Sequence, residues 1–268
     1  MERSDIVAEV LKSKKYRGID TSVIQRICAD TAARYPKKKE ALKAAKSELH
    51  SIHQSFLQYE CHQTASALLT ALPPDYSETQ LDDMVMQLMR LHASTRERLA
   101  EIRAIYSFIG QHITAESTVM DIGCGFNPFA LPLLREQAKA YVAYDINTET
   151  IDVLNAFFAR TQSPLYKASI FDVVSATPGM TADVVLLLKL LPLLQQQKKG
   201  RGFELLTELR FQKAIVSFPL KSLTGKQKGM GTFYSAWMED GLPSTLQTVH
   251  KRSFASEVFY IVVPSAPI

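Results

Sequence analysis

Apolar residues follow two different rhythms along this chain, and the rhythm changes near residue 110. In the first part they recur at helical spacing. Ile6, Val7, Val10 and Leu11 mark one apolar face; Val23, Ile24 and Ile27 restart it after Gly18 and the polar run Asp20, Thr21, Ser22, and Pro36 ends that segment. Residues 37–57 put Ala41, Leu42, Ala45, Leu49, Ile52 and Phe56 on one stripe, with Lys37, Lys38, Lys39, Lys43 and Lys46 largely off it. Two further helices are expected near 60–71 and 79–91, separated by Pro73 and Pro74, and another over 96–109, capped by Ser94 or Thr95. This region offers no strand candidate, repeat or low-complexity tract.

From about residue 117 short apolar runs alternate with amphipathic stretches. Strands are expected at 118–122, 140–145, 165–169, 183–188 and 213–218, with helices near 128–137, 148–160 and 193–210. Alternation of this kind predicts right-handed βαβ units and a mainly parallel sheet. The end of the chain differs: runs at 245–250 and 257–263 are joined by a short polar turn, which suggests an antiparallel pair. The expected fold is α/β and resembles the class I methyltransferase form of the Rossmann-like fold rather than the dehydrogenase form. The expected division is an N-terminal α-helical domain, 1–110, and a sheet domain, 111–268.

Chemistry concentrates where the strands should end. Residues 119–128 read VMDIGCGFNP, and Asp145 stands twenty positions after Gly125. An apolar strand running into a glycine turn lets a ligand approach the backbone, and an acid ending the next strand accepts hydrogen bonds from ribose hydroxyls. Asn127 and Pro128 stand where a dinucleotide fingerprint would continue towards its third glycine. That counts against NAD or FAD and fits S-adenosylmethionine; a tight structural turn is the plain alternative. Asp172, after the third strand, can reach an adenine amino group while Phe171 packs on the ring, or it simply opens a loop. Lys189 sits among leucines at the end of a buried strand, where it either enters the ligand crevice or snorkels to solvent. Arg96 and Arg98 could grip a cofactor carboxylate, although capping is the stronger reading of the 92–98 segment. Lys221, Lys226 and Lys228 share a glycine-containing loop suited to phosphate contacts, and Phe218, Phe233, Tyr234 and Trp237 are candidates for stacking on a flipped base.

Composition narrows this picture. The chain has 268 residues, 46% hydrophobic and 22% charged, enough for one globular core with an appendage. No run of 18 apolar residues exists, and no secretory signal is expected from the polar start. Three scattered cysteines suggest a reduced, cytoplasmic protein without a metal site; Cys124 reads as a small buried residue rather than a nucleophile. Net charge is +4, and it is uneven: residues 1–60 hold 12 Lys/Arg against 8 Asp/Glu, the remainder 19 against 19. Such asymmetry suggests a polyanionic partner, against the plainer reading of a solvated helix surface.

Five segments in order, 13–17 (SKKYR), 91–99 (LHASTRERL), 121–128 (DIGCGFNP), 189–194 (KLLPLL) and 217–219 (SFP), together resemble the aminoglycoside-resistance 16S rRNA methyltransferases, in the branch that methylates N7 of guanine 1405. The resemblance runs nearly end to end. It implies that His92, Ala93, Ser94, Thr95, Arg96, Glu97, Arg98, Gly123, Asp145, Asp172, Val173, Leu188 and Gln197 line an S-adenosylmethionine site. It implies that the N-terminal helices, with Lys14, Lys15, Arg17, Lys37, Lys38 and Lys39, dock on 16S rRNA in the assembled small ribosomal subunit. Lys189, as the catalytic candidate, and the loop with Lys221, Lys226 and Lys228 would engage the target guanine. A monomer that contacts no membrane is expected. The competing readings are N1 methylation of adenine 1408, which the long helical N-terminus disfavours, a non-catalytic rRNA-binding homologue, and a small-molecule methyltransferase.

Overall fold

A computed structural model of the chain describes residues 3–54, 60–134, 136–161, 163, 165–220 and 230–265. Helices come first: α1 (Arg3–Leu11), α2 (Thr21–Arg34), α3 (Lys38–Leu49), α4 (Cys61–Ala71), α5 (Glu78–Arg90), α6 (Ala93–Arg96) and α7 (Ile102–Gly110). Then follow β1 (Thr118–Ile122), β2 (Ala140–Asp145), α8 (Thr148–Arg160), β3 (Tyr166–Ile170), β4 (Thr181–Leu188), α9 (Leu191–Gln197), α10 (Arg201–Glu208), β5 (Arg210–Pro219), α11 (Met230–Gly241), β6 (Leu246–Ser253) and β7 (Glu257–Pro264). Side-chain caps fix several starts. Asp20 accepts from Ser22 N at 2.9 Å, and Ser77 and Gln80 form a reciprocal box at the start of α5.

The seven strands lie in the order β3-β2-β1-β4-β5-β7-β6. β1 to β5 run parallel, and β7 is antiparallel to both β5 and β6. Strand order reverses between β1 and β4, which opens a crevice beyond the carboxyl ends of those strands. This is the expected Rossmann-like architecture with its antiparallel end.

Three expected helices take a different form. The stretch expected at 128–137 is a 3-10 helix, Asn127–Leu133, because Pro128 and Pro132 remove two backbone donors. The helix expected over 193–210 is two, broken where Gly200 turns left-handed at φ 86°. The helix expected over 96–109 is divided into α6, a 3-10 turn at Leu99–Glu101, and α7. Neither Ser94 nor Thr95 caps it. The Thr95 hydroxyl donates to Met89 O at 2.7 Å, and Ser94 Oγ bonds His92 Nδ1.

Core packing places the helices in two groups. Ile6, Val10, Ile24, Ile27, Ala41, Ala45 and Leu49, from α1 to α3, form a cluster of their own. Residues of α4, α5 and α7 instead share one apolar core with α8 and one face of the sheet, while α9, α10 and α11 cover the other. Phe56, expected on the α3 stripe, lies outside the described residues. The α1–α3 cluster is anchored beside the carboxyl end of β2. Asp20 N donates to Ile146 O at 2.9 Å, Thr148 N donates to Gly18 O at 2.7 Å, and Ile19 bridges Asn147. Gly18 is needed there, since a Cβ would stand 2.7 Å from Asn147 Nδ2.

Truncation of a fully buried aliphatic residue costs about 2–5 kcal/mol. Ile24→Ala is therefore expected to loosen α1–α3 locally. Hydrogen exchange is expected to quicken in residues 3–54 and to leave the protection of β1, β4 and β5 unchanged; uniform loss across the sheet would show a single shared core.

Candidate functional site

The turn after β1 is shaped by two glycines with positive φ, Gly123 at 64° and Gly125 at 49°. A Cβ at Gly123 would come within 2.6 Å of Leu190 Cδ1, and one at Gly125 within 3.2 Å of the His92 ring. Conformation and space both exclude side chains here, which leaves bare backbone facing the crevice. At the end of β2, Asp145 accepts from Gly125 N at 2.9 Å and from Asn147 N at 3.0 Å. Burial pushes its carboxyl above the usual range, and those backbone donors restrain the shift. After β3, Asp172 Oδ1 accepts from Val174 N and Oδ2 from Ser175 Oγ, each at 3.0 Å.

These groups border a cleft open to solvent. His92, Ser94, Gly123, Asp145, Asp172, Val173, Leu188, Lys189 and Gln197 line it, all expected from the sequence. Gly125 and Phe171, also singled out there, line it too. The bare turn, the acid behind it and the Asp172–Phe171 pair suit a ligand with a ribose, a purine amino group and an aromatic face; an adenosyl amino acid fits that description. Among the described residues no group of three or more His, Cys, Asp or Glu could hold a metal.

Other expected site residues stand behind the wall. Ala93 and Thr95 are buried, Arg96 is exposed, and none of Ala93, Thr95, Arg96, Glu97 or Arg98 borders the cleft. Arg98 makes the bidentate contact foreseen for a cofactor carboxylate, but makes it to Glu257: Nε at 2.7 Å and Nη2 at 2.8 Å. Its Nη1 donates to Asn127 Oδ1 at 2.9 Å. Arg98 is 2% exposed and Glu257 0%, so neither can leave the other without stranding a buried charge. Burial alone would raise the Glu257 carboxyl; Arg98 and Lys189 outweigh it and hold the group below the usual carboxylate range. The missed signal was an acid opening the apolar run 257–263.

Lys189 borders the cleft, but its ammonium does not stand free. It lies 2.6 Å from Glu97 Oε2, 3.1 Å from Ser94 O and 3.5 Å from Glu257 Oε2. The backbone at Lys189 is left-handed, φ 59°, and its N–H donates to Ser217 O at 3.1 Å. Ser217 Oγ in turn donates to Glu257. The expectation of a cation aimed at the target or its phosphate gives way to a cation that ties the 94–97 segment to β7. One buried carboxylate and one half-buried carboxylate within reach leave little reason for the ammonium to extend elsewhere.

The network continues beneath the turn. Asn127 Nδ2 donates to Asp121 Oδ2 at 2.8 Å, and the Tyr141 hydroxyl donates to the same oxygen at 2.6 Å. Tyr106 donates to Asn127 Oδ1. Cys124 is buried, and burial pushes its thiol well up, which suits packing rather than nucleophilic attack.

Lys14, Lys15, Arg17, Lys37, Lys38 and Lys39 are all exposed on the α1–α3 cluster. Lys221, Lys226 and Lys228 lie outside the described residues. Of the stacking candidates, Phe218 is core, stacked on Tyr234 at 5.2 Å and edge-on to Trp237, while Phe233 is 63% exposed. Sequence reading missed Arg26, Asn147 and Thr150 in the cleft wall. Asn147 was discoverable as an N-cap, its Oδ1 accepting from Thr150 N at 2.7 Å. Arg26 gave no signal, because it arrives from α2 across the fold.

A family model described as "Ribosomal RNA methyltransferase (FmrO)" matches residues 12–261. The 16S rRNA (guanine(1405)-N(7))-methyltransferase of Serratia marcescens is 35% identical over 98% of each chain. The enzyme of that name from Frankia casuarinae is 32% identical over 94% of this chain and 90% of the relative. Among solved structures, the 16S rRNA methyltransferase RmtF in complex with S-adenosyl-L-homocysteine superposes with a TM-score of 0.87 at 30% identity, covering 99% of this chain and all of the other.

Asp121 supplies a test of the buried network. It is 1% exposed, its Oδ1 has no hydrogen-bond partner, and burial raises its pKa from 3.8 to about 6 against the opposing bonds from Tyr141 and Asn127. The folded chain therefore keeps this proton to higher pH than the unfolded chain does. The group's contribution to stability is full below about pH 4 and declines as pH rises through about 6. Asp121→Asn is expected to remove that decline, worth at most about 1.4 kcal/mol per pH unit. Urea unfolding of both proteins between pH 4 and 7 measures it; parallel profiles would show that Asp121 titrates normally.

Proposed function

The chain belongs to the ribosomal RNA methyltransferase (FmrO) family, and from that membership we propose that it methylates N7 of guanine 1405 in 16S rRNA, using S-adenosylmethionine. The observation that carries the target is the near-complete overlap with relatives bearing that activity in their names. The cleft supports the donor: Gly123, Gly125, Asp145, Phe171 and Asp172 converge there. The substrate is the assembled small subunit, and the N-terminal helices with their excess of lysine are its docking surface. The consequence is resistance to 4,6-disubstituted deoxystreptamine aminoglycosides, whose binding a methyl group and positive charge at this base obstruct.

S-adenosylmethionine, when bound, supplies an electrophilic methyl group on sulfur. Asp145 would hold the ribose hydroxyls, and Asp172 with Phe171 the purine. The guanine N7 lone pair is free, so no side chain has to remove a proton before transfer. What the protein must do is hold donor and base in line and keep water out. Lys189 and Glu97 serve this as positioning residues. By holding Ser94 O, Lys189 fixes the cleft wall from behind.

Primer extension after reduction and cleavage at N7-methylguanine, on 16S rRNA from cells expressing the protein, tests the proposal. A stop at guanine 1405 and gentamicin resistance without apramycin resistance are expected. Apramycin resistance would move the target to adenine 1408, and no stop at all would favour a non-catalytic binder.

Docking has its own test. Neutralising Lys14, Lys15 and Arg17, or Lys37, Lys38 and Lys39, is expected to weaken binding to small subunits. The slope of log affinity against log salt should fall by up to about one for each phosphate that a removed cation had neutralised. Affinity for S-adenosylhomocysteine should hold. Unchanged subunit binding in both triple variants would place the docking face elsewhere.

A further inference from the structure

The α1–α3 cluster reaches into the cleft through one side chain. Arg26, on α2, donates from Nε to Asp172 Oδ2 at 2.6 Å and from Nη2 to Asp172 Oδ1 at 3.3 Å. Nη2 also donates to Gln197 Oε1 at 3.0 Å. With its side chain only 15% exposed, Arg26 joins the residue at the purine end of the cleft to one at the end of α9. Its third nitrogen, Nη1, is buried without a hydrogen-bond partner, and the Asp30 carboxylate stands 3.8 Å away.

We infer that Arg26 is a cofactor-positioning residue, contributed by the N-terminal helices to the purine end of the S-adenosyl site. This deepens the proposed function and rests on its S-adenosyl reading. Two features of the geometry carry it. First, Asp172 already accepts four hydrogen bonds, from Val174 N, Ser175 Oγ and twice from Arg26, about as many as a carboxylate takes. The longest, from Nη2 at 3.3 Å, is the one an incoming amino group would share. Arg26 thus fixes the rotamer in which Asp172 presents its oxygens. Second, Arg26 itself lines the cleft beside Asp172 and Gln197, so the fork that holds the acid stands next to the space a purine would fill. A purine amino group there would donate to Asp172 in the orientation that Arg26 fixes. The base of α2 is pinned beside Asp145 by the Gly18–Thr148 and Asp20–Ile146 bonds. The cluster that carries the docking lysines therefore touches the cofactor site at its ribose end and its purine end, and filling the site holds that cluster in place.

Calorimetric titration of the full chain with S-adenosylhomocysteine, and with its deaminated analogue S-inosylhomocysteine, tests this. Arg26→Ala is expected to weaken S-adenosylhomocysteine binding about tenfold. It should also narrow the preference for the amino over the keto purine. Arg26→Lys, which keeps the charge but loses the fork, should recover only part of the affinity. If Arg26→Ala binds S-adenosylhomocysteine as tightly as the wild type or more tightly, the arginine is a bystander or a plug and the inference fails while the cofactor reading stands. A loss of urea midpoint with the amino preference intact would make the role structural and would also overturn it. If the wild type binds neither compound, the cofactor reading fails and takes this inference with it.

Discussion

A single buried ion pair, Arg98 with Glu257, links the segments that carry one side of the cleft. Its two charges come from segments 159 positions apart, the turn after α6 and the first residue of β7. Through Asn127 the pair reaches the glycine turn, and through Ser217 and Lys189 it reaches the ends of β5 and β4. An ion pair taken out of water gains little net stability, because desolvation offsets most of the attraction; breaking it by removing one partner costs about 3–5 kcal/mol. Its value here is geometric. Five backbone segments, three of which border the cleft, are held to one another by contacts with narrow distance and angle requirements.

That arrangement suits a reaction with modest chemical demands. With no proton to remove at N7, little is asked of the pKa of any group in the cleft, and none of the perturbed groups below it needs to act on substrate. Burial and pairing disturb Asp121, Tyr106, Tyr141 and Glu257, yet all four belong to the scaffold under the turn. A strongly shifted pKa is therefore a poor guide to catalysis in this protein. The cleft itself relies on placement, which is what the scaffold provides.

Much of this was legible in the sequence. The strands β1, β4 and β5 could be placed because parallel strands buried on both faces are nearly continuous apolar runs, and the glycine turn with Asp145 announced the crevice. What escaped reading was of two kinds. The helix expected from 128 became a 3-10 segment, since two prolines within five residues override an apolar pattern. The roles of Arg98, Lys189 and Arg26 were hidden for another reason: each depends on a partner 92 to 159 positions away. Local pattern reports that a charge is set among apolar residues; it does not report which distant charge answers it. Lys189 among leucines signalled burial, and the sequence alone left open whether its ammonium met ligand, solvent or acid.

Because β7 runs against its neighbours, its first residue, and not its last, stands level with the carboxyl ends of the parallel strands, Glu257 opposite Pro219. The acid under the cleft is thus delivered without a crossover connection, by the strand that is made last among the seven. A nascent chain can assemble β1 to β5 and their helices while Arg98 still lacks its counter-ion. The counter-ion of Arg98 is in place only when the last of the seven strands has paired with β5, so completion of this scaffold is set by topology rather than by local sequence.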